Sequence, residues 1–371
     1  MSLELAANIA ASVPHIFAKQ GMMLWNREAP LFKMARKQRG TSNAVYWSVS
    51  NSGAAPASGN VYVGEGETVN TTNEFNVDDI TALTLNRAIV RNGFSISHTE
   101  LAQVASLQAG VAADILIERL KWAWLNNMAA TARIVELQLL TGLGSATSNS
   151  TGNVCQGLVG LMGIFQPVIL GTGSYAGKTV AGYSGLQPQV SSVSGALTTL
   201  AIDKLIASIQ NAAGSFKPDF LMCNPKTAVQ VKQLGDSYIR LNAQPGDQRL
   251  PWHLGLRDTP TPDEPVVQYN GIPVIQNSAW TSPTYDGYLI TGQMENLVID
   301  VLPYQNWGDT ISEVDKPALE GFGGMLDQLG IPFFTWPYAK TASSVSFVQE
   351  MEFQLKIEAP NRFGLLYGFN T

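Results

Sequence analysis

Ser97-His-Thr-Glu100 is followed by apolar residues at Leu101, Val104, Val111, Ile115, Leu116, Leu120, Leu125, Met128, Ala132, Val135 and Leu139, and the run closes at Gly142. The opening tetrad is a capping box, in which the serine oxygen accepts from the Glu100 amide while the Glu100 carboxylate reaches back to the serine amide. The spacing predicts one amphipathic helix of some forty residues, roughly 60 Å at ~1.5 Å per residue, far longer than an ordinary globular helix. A glycine just past the last apolar position suits the left-handed residue that ends a helix. The apolar positions do not keep a strict heptad, which argues against a coiled coil.

Upstream the chain reads as strand. Val45, Trp47 and Val49 alternate with other residues, and a loop of small residues from Asn51 to Gly59 follows. Val61 and Val63, a polar stretch from Glu65 to Thr72, and an extended run from Ile80 to Ile96 complete residues 41–96. The pattern predicts a long, thin β-excursion with few large apolar residues. A two-stranded ribbon is marginal alone, so support from outside it is expected. Nearer the start, Leu3, Ala6, Ile9, Ala10 and Val13 predict a short helix that must pack on something else. Residues 1–40 also hold Lys19, Arg27, Lys33, Arg36, Lys37 and Arg39 against Glu4 and Glu28, a net +4. The remainder carries −10, so a basic arm is set on an acidic body.

Downstream, a Ser/Thr/Asn/Gly loop over 145–153 leads to the glycine-spaced Gly157-Leu-Val-Gly-Leu-Met-Gly163. An α/β stretch follows, with a helix over Leu200–Ala213, a strand at Phe220–Cys223 and a proline-initiated helix over Pro225–Leu234. Residues 236–265 read as a long loop. Asn270-Gly271, between strands Pro265–Gln268 and Ile272–Gln276, is a hairpin turn, and Tyr288–Thr291 and Leu297–Val301 are further strands. In the tail, Val345, Phe347, Met351, Phe353, Leu355 and Ile357 share one side of a period-two strand. Ser346, Glu350, Glu352, Gln354, Lys356 and Glu358 share the other, and Pro360 turns the chain into a last strand, Leu365–Tyr367.

The length of 371 residues allows two packed units. Charged residues make up 14%, against the usual quarter, while hydrophobic residues reach 45%. That balance excludes a disordered chain and leaves surface that is uncharged or covered by other subunits. A net charge of −6 argues against a protein whose main task is gripping nucleic acid, because phosphate contacts need a basic footprint. Two cysteines build no disulfide framework and fit a reducing compartment. No secretory signal is recognised, and the longest apolar runs are about half the ~20 residues of a membrane helix, so a soluble intracellular product is expected.

Catalytic motifs fail on spacing. Gly171-Thr-Gly-Ser-Tyr-Ala-Gly-Lys-Thr179 approaches a phosphate loop, but Thr172 stands where the first glycine belongs and no helix pattern follows. His15, His98 and His253 are isolated, and no Cys-x-x-Cys occurs, so neither a metal nor another cofactor is expected. Gly182-Tyr-Ser-Gly185 is one residue short of a nucleophile elbow. Glu65/Glu67 and Asp78/Asp79 lie in polar loops that would not tune paired carboxylates apart. The tryptophans, Trp122 and Trp124 among them, read as core or interface packing. An enzyme is not expected.

Ser97-His-Thr-Glu-Leu101, then Leu200–Ala213 with Pro218-Asp-Phe-Leu-Met-Cys-Asn-Pro225, then Tyr269-Asn-Gly-Ile-Pro-Val-Ile275 with Gly287-Tyr-Leu-Ile290, stand in an order that resembles the major capsid proteins of tailed double-stranded DNA bacteriophages, the Hong Kong phage-type fold. The resemblance covers nearly the whole chain. It implies an α+β fold in which residues 1–40 are an arm and 41–96 an extended loop lying across a neighbour. Residues 97–165 with 336–371 become a peripheral domain, and 166–335 an axial domain around five- and six-fold positions. The implied function is a structural, self-assembling icosahedral shell of pentamers and hexamers in the virion, assembled in the host cytoplasm. Its implied partners are a portal protein, a separate scaffolding protein or none, and weakly held DNA, with no membrane; reinforcement comes from basic arm and loop residues meeting acidic neighbours or from a decoration protein. Arg36, Lys37, Arg39, Trp47, Glu65, Glu67, Arg87 and Arg91 are the expected assembly contacts. Some such proteins crosslink a loop lysine to a neighbour; here no lysine lies between Lys37 and Lys121, so no crosslink from that loop is expected. Other readings are an encapsulin-like compartment, a nucleotide-binding enzyme using the loop near Lys178, and a surface adhesin.

Overall fold

A computed structural model describes residues 20–21, 23–40, 42, 44–50, 80–97, 99, 109–142, 155–159, 163–171, 173–212, 214, 216–234, 268–280, 286–302, 334–337 and 344–369. The first strands are β1 (Arg36–Arg39), β2 (Ala44–Ser50), β3 (Ile80–Asn86) and β4 (Ala88–Ser97). Next come β5 (Ser174–Tyr175), β6 (Lys178–Thr179), β7 (Gln189–Gly195), β8 (Phe220–Cys223), β9 (Gln268–Tyr269) and β10 (Ile272–Gln276). The last are β11 (Leu289–Gly292), β12 (Leu297–Val301), β13 (Phe334–Pro337), β14 (Ser344–Ile357) and β15 (Gly364–Phe369). The helices are α1 (Pro30–Met34), α2 (Ala109–Thr141), α3 (Gln166–Leu170), α4 (Thr199–Ala212) and α5 (Pro225–Gln233). The expected helix at 3–13, the loops at 145–153 and 236–265, His98 and Glu100 of the capping box, and Glu65 and Glu67 lie outside the described residues.

The long tail strand organises one sheet. β14 pairs antiparallel with β4 from Ser344↔Ser97 to Phe353↔Ala88, with β12 from Leu297↔Ile357 to Val301↔Phe353, and with β13. β1 closes the far edge in parallel with β12, giving the order β1-β12-β14-β13 with β4 on the other side of β14. Met351, Phe353, Leu355 and Ile357 enter the core as the alternation requires. Their polar neighbours Glu352, Gln354 and Lys356 are buried as well, because other parts of the chain cover that face. Gln354, for example, accepts from the Gln156 amide at 3.0 Å.

A second sheet runs β7-β15-β11-β8-β10-β9. Its residues alternate between two cores. Phe220, Met222, Ile290 and Leu365 enter the large core shared with α2 and the first sheet. Leu221, Cys223, Leu289 and Leu366 instead enter a smaller core with Ile202, Leu205 and Ile209 of α4 and Val231 of α5. Covering both faces is why Phe220-Leu-Met-Cys223 is apolar throughout.

Helix α2 has 33 described residues, about 50 Å of rod at ~1.5 Å per residue, and lies against β4 and α1. Leu120, Trp124, Met128, Ala132, Val135 and Leu139 are buried, whereas Trp122 is 56% exposed. Gly142 adopts φ +55° and its amide donates to Gln138 O at 2.8 Å. The glycine-spaced segment then folds back, with Leu158 and Val159 amides donating to Leu139 O (2.9 Å) and Leu140 O (2.7 Å), the last carbonyls of the helix.

Over β2 and β3 the support outside the ribbon is the chain's own body, because Val45, Trp47, Val49, Leu83 and Leu85 on the inner face of the pair are buried in the core. The alternation creates one apolar face, and the body covers it. β4 is not part of the ribbon at all but a strand of the first sheet. The sheets also cross the ranges drawn from sequence: β12, within 166–335, pairs with β14, and β15, within 336–371, joins the second sheet. Strand pairing over such distances is invisible to linear ranges.

Candidate assembly surface

β1 places Arg36, Lys37, Gln38 and Arg39 in a row of four exposed residues on a sheet edge. The strand exists because β12 offers a paired partner, and Gly40 continues the ladder by donating to Val301 O at 2.8 Å. Arg36 meets Glu358 at 2.8 Å, and Glu358 also meets Lys356 at 2.9 Å. Lys37 donates to Lys33 O at 3.2 Å and lies 5.2 Å from the Phe32 ring centroid. Arg36 and Lys37 are exposed in these contacts, which contribute little stability, whereas Lys356 is buried. The row's cationic surface is therefore its main property.

The other expected contacts fall elsewhere. Arg91 is exposed on β4, opposite Glu350 in the ladder and two strands removed from β1. Trp47 turns inward, its indole donating to Ile357 O at 3.1 Å and its ring set edge-on to Tyr175. Arg87 is also buried, paired with Asp300 of β12. The structure thus brings Arg36, Lys37 and Arg39 together and seats Trp47 and Arg87 inside the subunit.

Sequence reasoning missed the residues that dock the arm. Glu28 bonds Arg133 Nε at 2.6 Å and Arg27 Nη2 at 2.8 Å. Burial alone would raise the Glu28 carboxyl, but the two guanidinium groups outweigh it and hold it below the usual range. One turn along α2, the fully buried Glu136 accepts from the Leu31 amide at 2.7 Å, the Phe32 amide at 3.0 Å and the Asn277 side chain. Ala29 provides no side-chain cap for α1, so Glu136 supplies it from a distant element. The available signal was a carboxylate in the apolar phase of the helix, between Ala132 and Leu139.

The loop near Lys178 is a hairpin: β5 and β6 are joined through Ala176 (φ +50°) and Gly177 (φ +78°), and only a three-residue 3-10 turn, Val180–Gly182, follows where a phosphate loop has an α-helix. Among the described residues, no three His, Cys, Asp or Glu side chains converge as metal ligands, and no helix is long and apolar enough to cross a membrane.

Two sheets thus share one core with a long helix, and a cationic strand lies on the edge of the first sheet. The model of the SU10 major capsid protein family matches residues 22–248, more than half the chain, and the chain belongs to that family. No curated protein sequence matches. Among solved structures, the capsid asymmetric unit of cyanophage A-1(L) matches with TM-score 0.62 and 13% identity, covering 92% of this chain and 93% of that one. At that identity the match speaks for the fold. Mycobacterium phage Bobi (TM-score 0.48, 12% identity, 92% and 91% covered) and an encapsulin complex of Synechococcus elongatus (0.47, 8%, 92% and 89%) are similar more loosely. The protein is a structural, non-enzymatic shell subunit of the virion capsid that associates with its own copies.

Proposed function

We propose that the subunit tiles as pentamers and hexamers into the head of a tailed phage, and that strand β1 of one copy receives the acidic excursion of the next. One observation carries the pairing. β1 exposes three cations within four residues, while residues 41–79 hold Glu65, Glu67, Glu74, Asp78 and Asp79 with no lysine or arginine. Opposite charge across a contact steers encounter and fixes register, although each exposed pair adds little by itself. In this reading the first sheet with α2 acts as the peripheral part and the second sheet with α4 and α5 as the axial part. Packaged double-stranded DNA is met by weak, non-specific contact, which suits a net charge of −6. Portal, separate scaffolding and decoration proteins complete the partner set, and assembly takes place in the host cytoplasm.

The test compares particle yield of the wild-type chain and an Arg36→Glu/Lys37→Glu/Arg39→Glu variant by electron microscopy and sedimentation, at low and high salt. Closed wild-type particles are expected, with yield falling as salt screens the contact and about tenfold fewer particles from the folded variant. Equal yields under every condition would remove the pairing. Failure of the wild type to form particles with any added partner would remove the tiling.

A further inference from the structure

Both strands of the excursion are tied to the body at one guanidinium. β2 follows Gly40 and Ser42 on the way out, and β3 returns to Asn86, leaving Arg87 as the single residue before β4. Arg87 is 4% exposed. Its Nη2 lies 2.5 Å from Asp300 Oδ1 on β12, and its Nε donates to Ser42 O at 2.7 Å. A Cβ at Gly40 would overlap both the guanidinium and the Asp300 carboxylate, so the outgoing chain passes directly over the pair. Outgoing strand, returning strand and central sheet therefore meet at one side chain.

Stability alone is a poor account of this arrangement. A buried ion pair loses in desolvation much of what its attraction returns, and its best-attested use is to select one arrangement over its competitors. Arginine suits that use, because its rigid fork addresses Asp300 and Ser42 in two directions at once; lysine would keep the charge and lose the second direction. Burial of Val45, Trp47, Val49, Leu83 and Leu85 also holds both strands on the core, but without directional contacts, and the other hydrogen-bonded ties each reach one strand only. Gln354 Nε2 donates to Asn86 O, and Trp47 donates to Ile357 O.

We propose that Arg87 is the positioning residue of the excursion, setting the angle at which β2 and β3 leave the first sheet. Its consequence for assembly rests on the proposed tiling, but the angle itself is a property of the single subunit and is measured there. Arg87 thus acts on neighbouring copies through the ribbon and without touching them.

Dissociated subunits carry spin labels at Asn60→Cys, within the excursion, and at Leu200→Cys, exposed on α4; the native Cys155 and Cys223 are buried. Distance distributions by pulsed electron resonance are compared for the wild-type, Arg87→Lys and Gly40→Ala backgrounds, alongside thermal unfolding and particle yield. A displaced or broadened distribution is expected in both variants relative to the wild type. Particle yield should fall about tenfold in Arg87→Lys with a modest drop in the unfolding midpoint, whereas Gly40→Ala, which overlaps the buried pair, lowers the midpoint as well. Unchanged distributions in both variants would overturn the proposal. If Arg87→Lys does not fold, Gly40→Ala decides; if neither folds, Arg87 is a stability residue and the positioning role falls. Changed distributions from a wild-type subunit that forms no particles would uphold the role of Arg87 while removing the tiling.

Discussion

Glu136 is caught between two demands. Its three neighbours, the Leu31 and Phe32 amides and the Asn277 amide group, are all donors and suit a carboxylate. Full burial opposes the charge and dominates, pushing the group up to about 7 from 4.5. Of the charged groups on the packed elements, Arg133 on α2 and Arg27 ahead of α1 both pair with Glu28, α1 itself carries Lys33, and the strand side contributes Asn277 with Met222 behind it. A folded-state value above the unfolded one means the folded chain holds the extra proton. The contribution of Glu136 to stability is therefore fully present below pH 4.5 and is lost as pH rises from there to about 7, by an amount on the order of a few kcal/mol. Glu136→Gln removes that titration but leaves one backbone amide without an acceptor, at a cost of about 1–3 kcal/mol. The variant should be the less stable protein at pH 5, with the gap narrowing by about pH 8 as the wild type loses its advantage. Unfolding midpoints of dissociated subunits across that range would measure it, and parallel pH slopes would refute it.

At the scale of elements, caps and turns were the most legible features. Asn224 caps α5 by accepting from the Thr227 amide at 2.8 Å, directly before the proline that the helix tolerates in its first turn. Asn224→Ala should lower subunit stability by about 1 kcal/mol, read as a denaturation midpoint shift, with a larger loss if the Asp286 contact also matters. Asn270 (φ +49°) and Gly271 (φ +82°) form the turn that their identities foretold, since few other pairs accept two positive φ angles. The spacing of Gly157 had no such local reading. A Cβ there would strike Gln138 O and Leu139 O, so its reason is a close approach to the end of α2 that only the folded chain reveals. The polar side of β14 was legible as a face, but its burial was not, because alternation tells sides apart without saying what covers each.

Among the described residues the two larger sheets share one core with α2, and the residues from Trp25 to Ala35 are fastened to that core rather than hung from it. Trp25, Leu31 and Phe32 are fully buried or nearly so, and Glu28 and Glu136 seal the contact. A shell of such subunits must be reinforced without lysine chemistry from the excursion, because no lysine lies between Lys37 and Lys121. Purified particles should therefore show no crosslinked multimers joined through residues 41–96 on a denaturing gel. A ladder of multimers mapped to residues 41–96 would contradict this.

Strand alternation, helix period, caps and the Asn-Gly turn follow from local sterics and side-chain chemistry, so the order of elements and the capsid-like α+β class could be read along the chain. Which strands share a sheet, that β1 is an exposed edge, and that Trp47, Arg87 and Glu136 are inside depend on partners from tens to hundreds of residues away. Burial is a property of what arrives from elsewhere. The same arginine that looked like a surface contact in sequence became, once Asp300 came alongside, a residue of the interior.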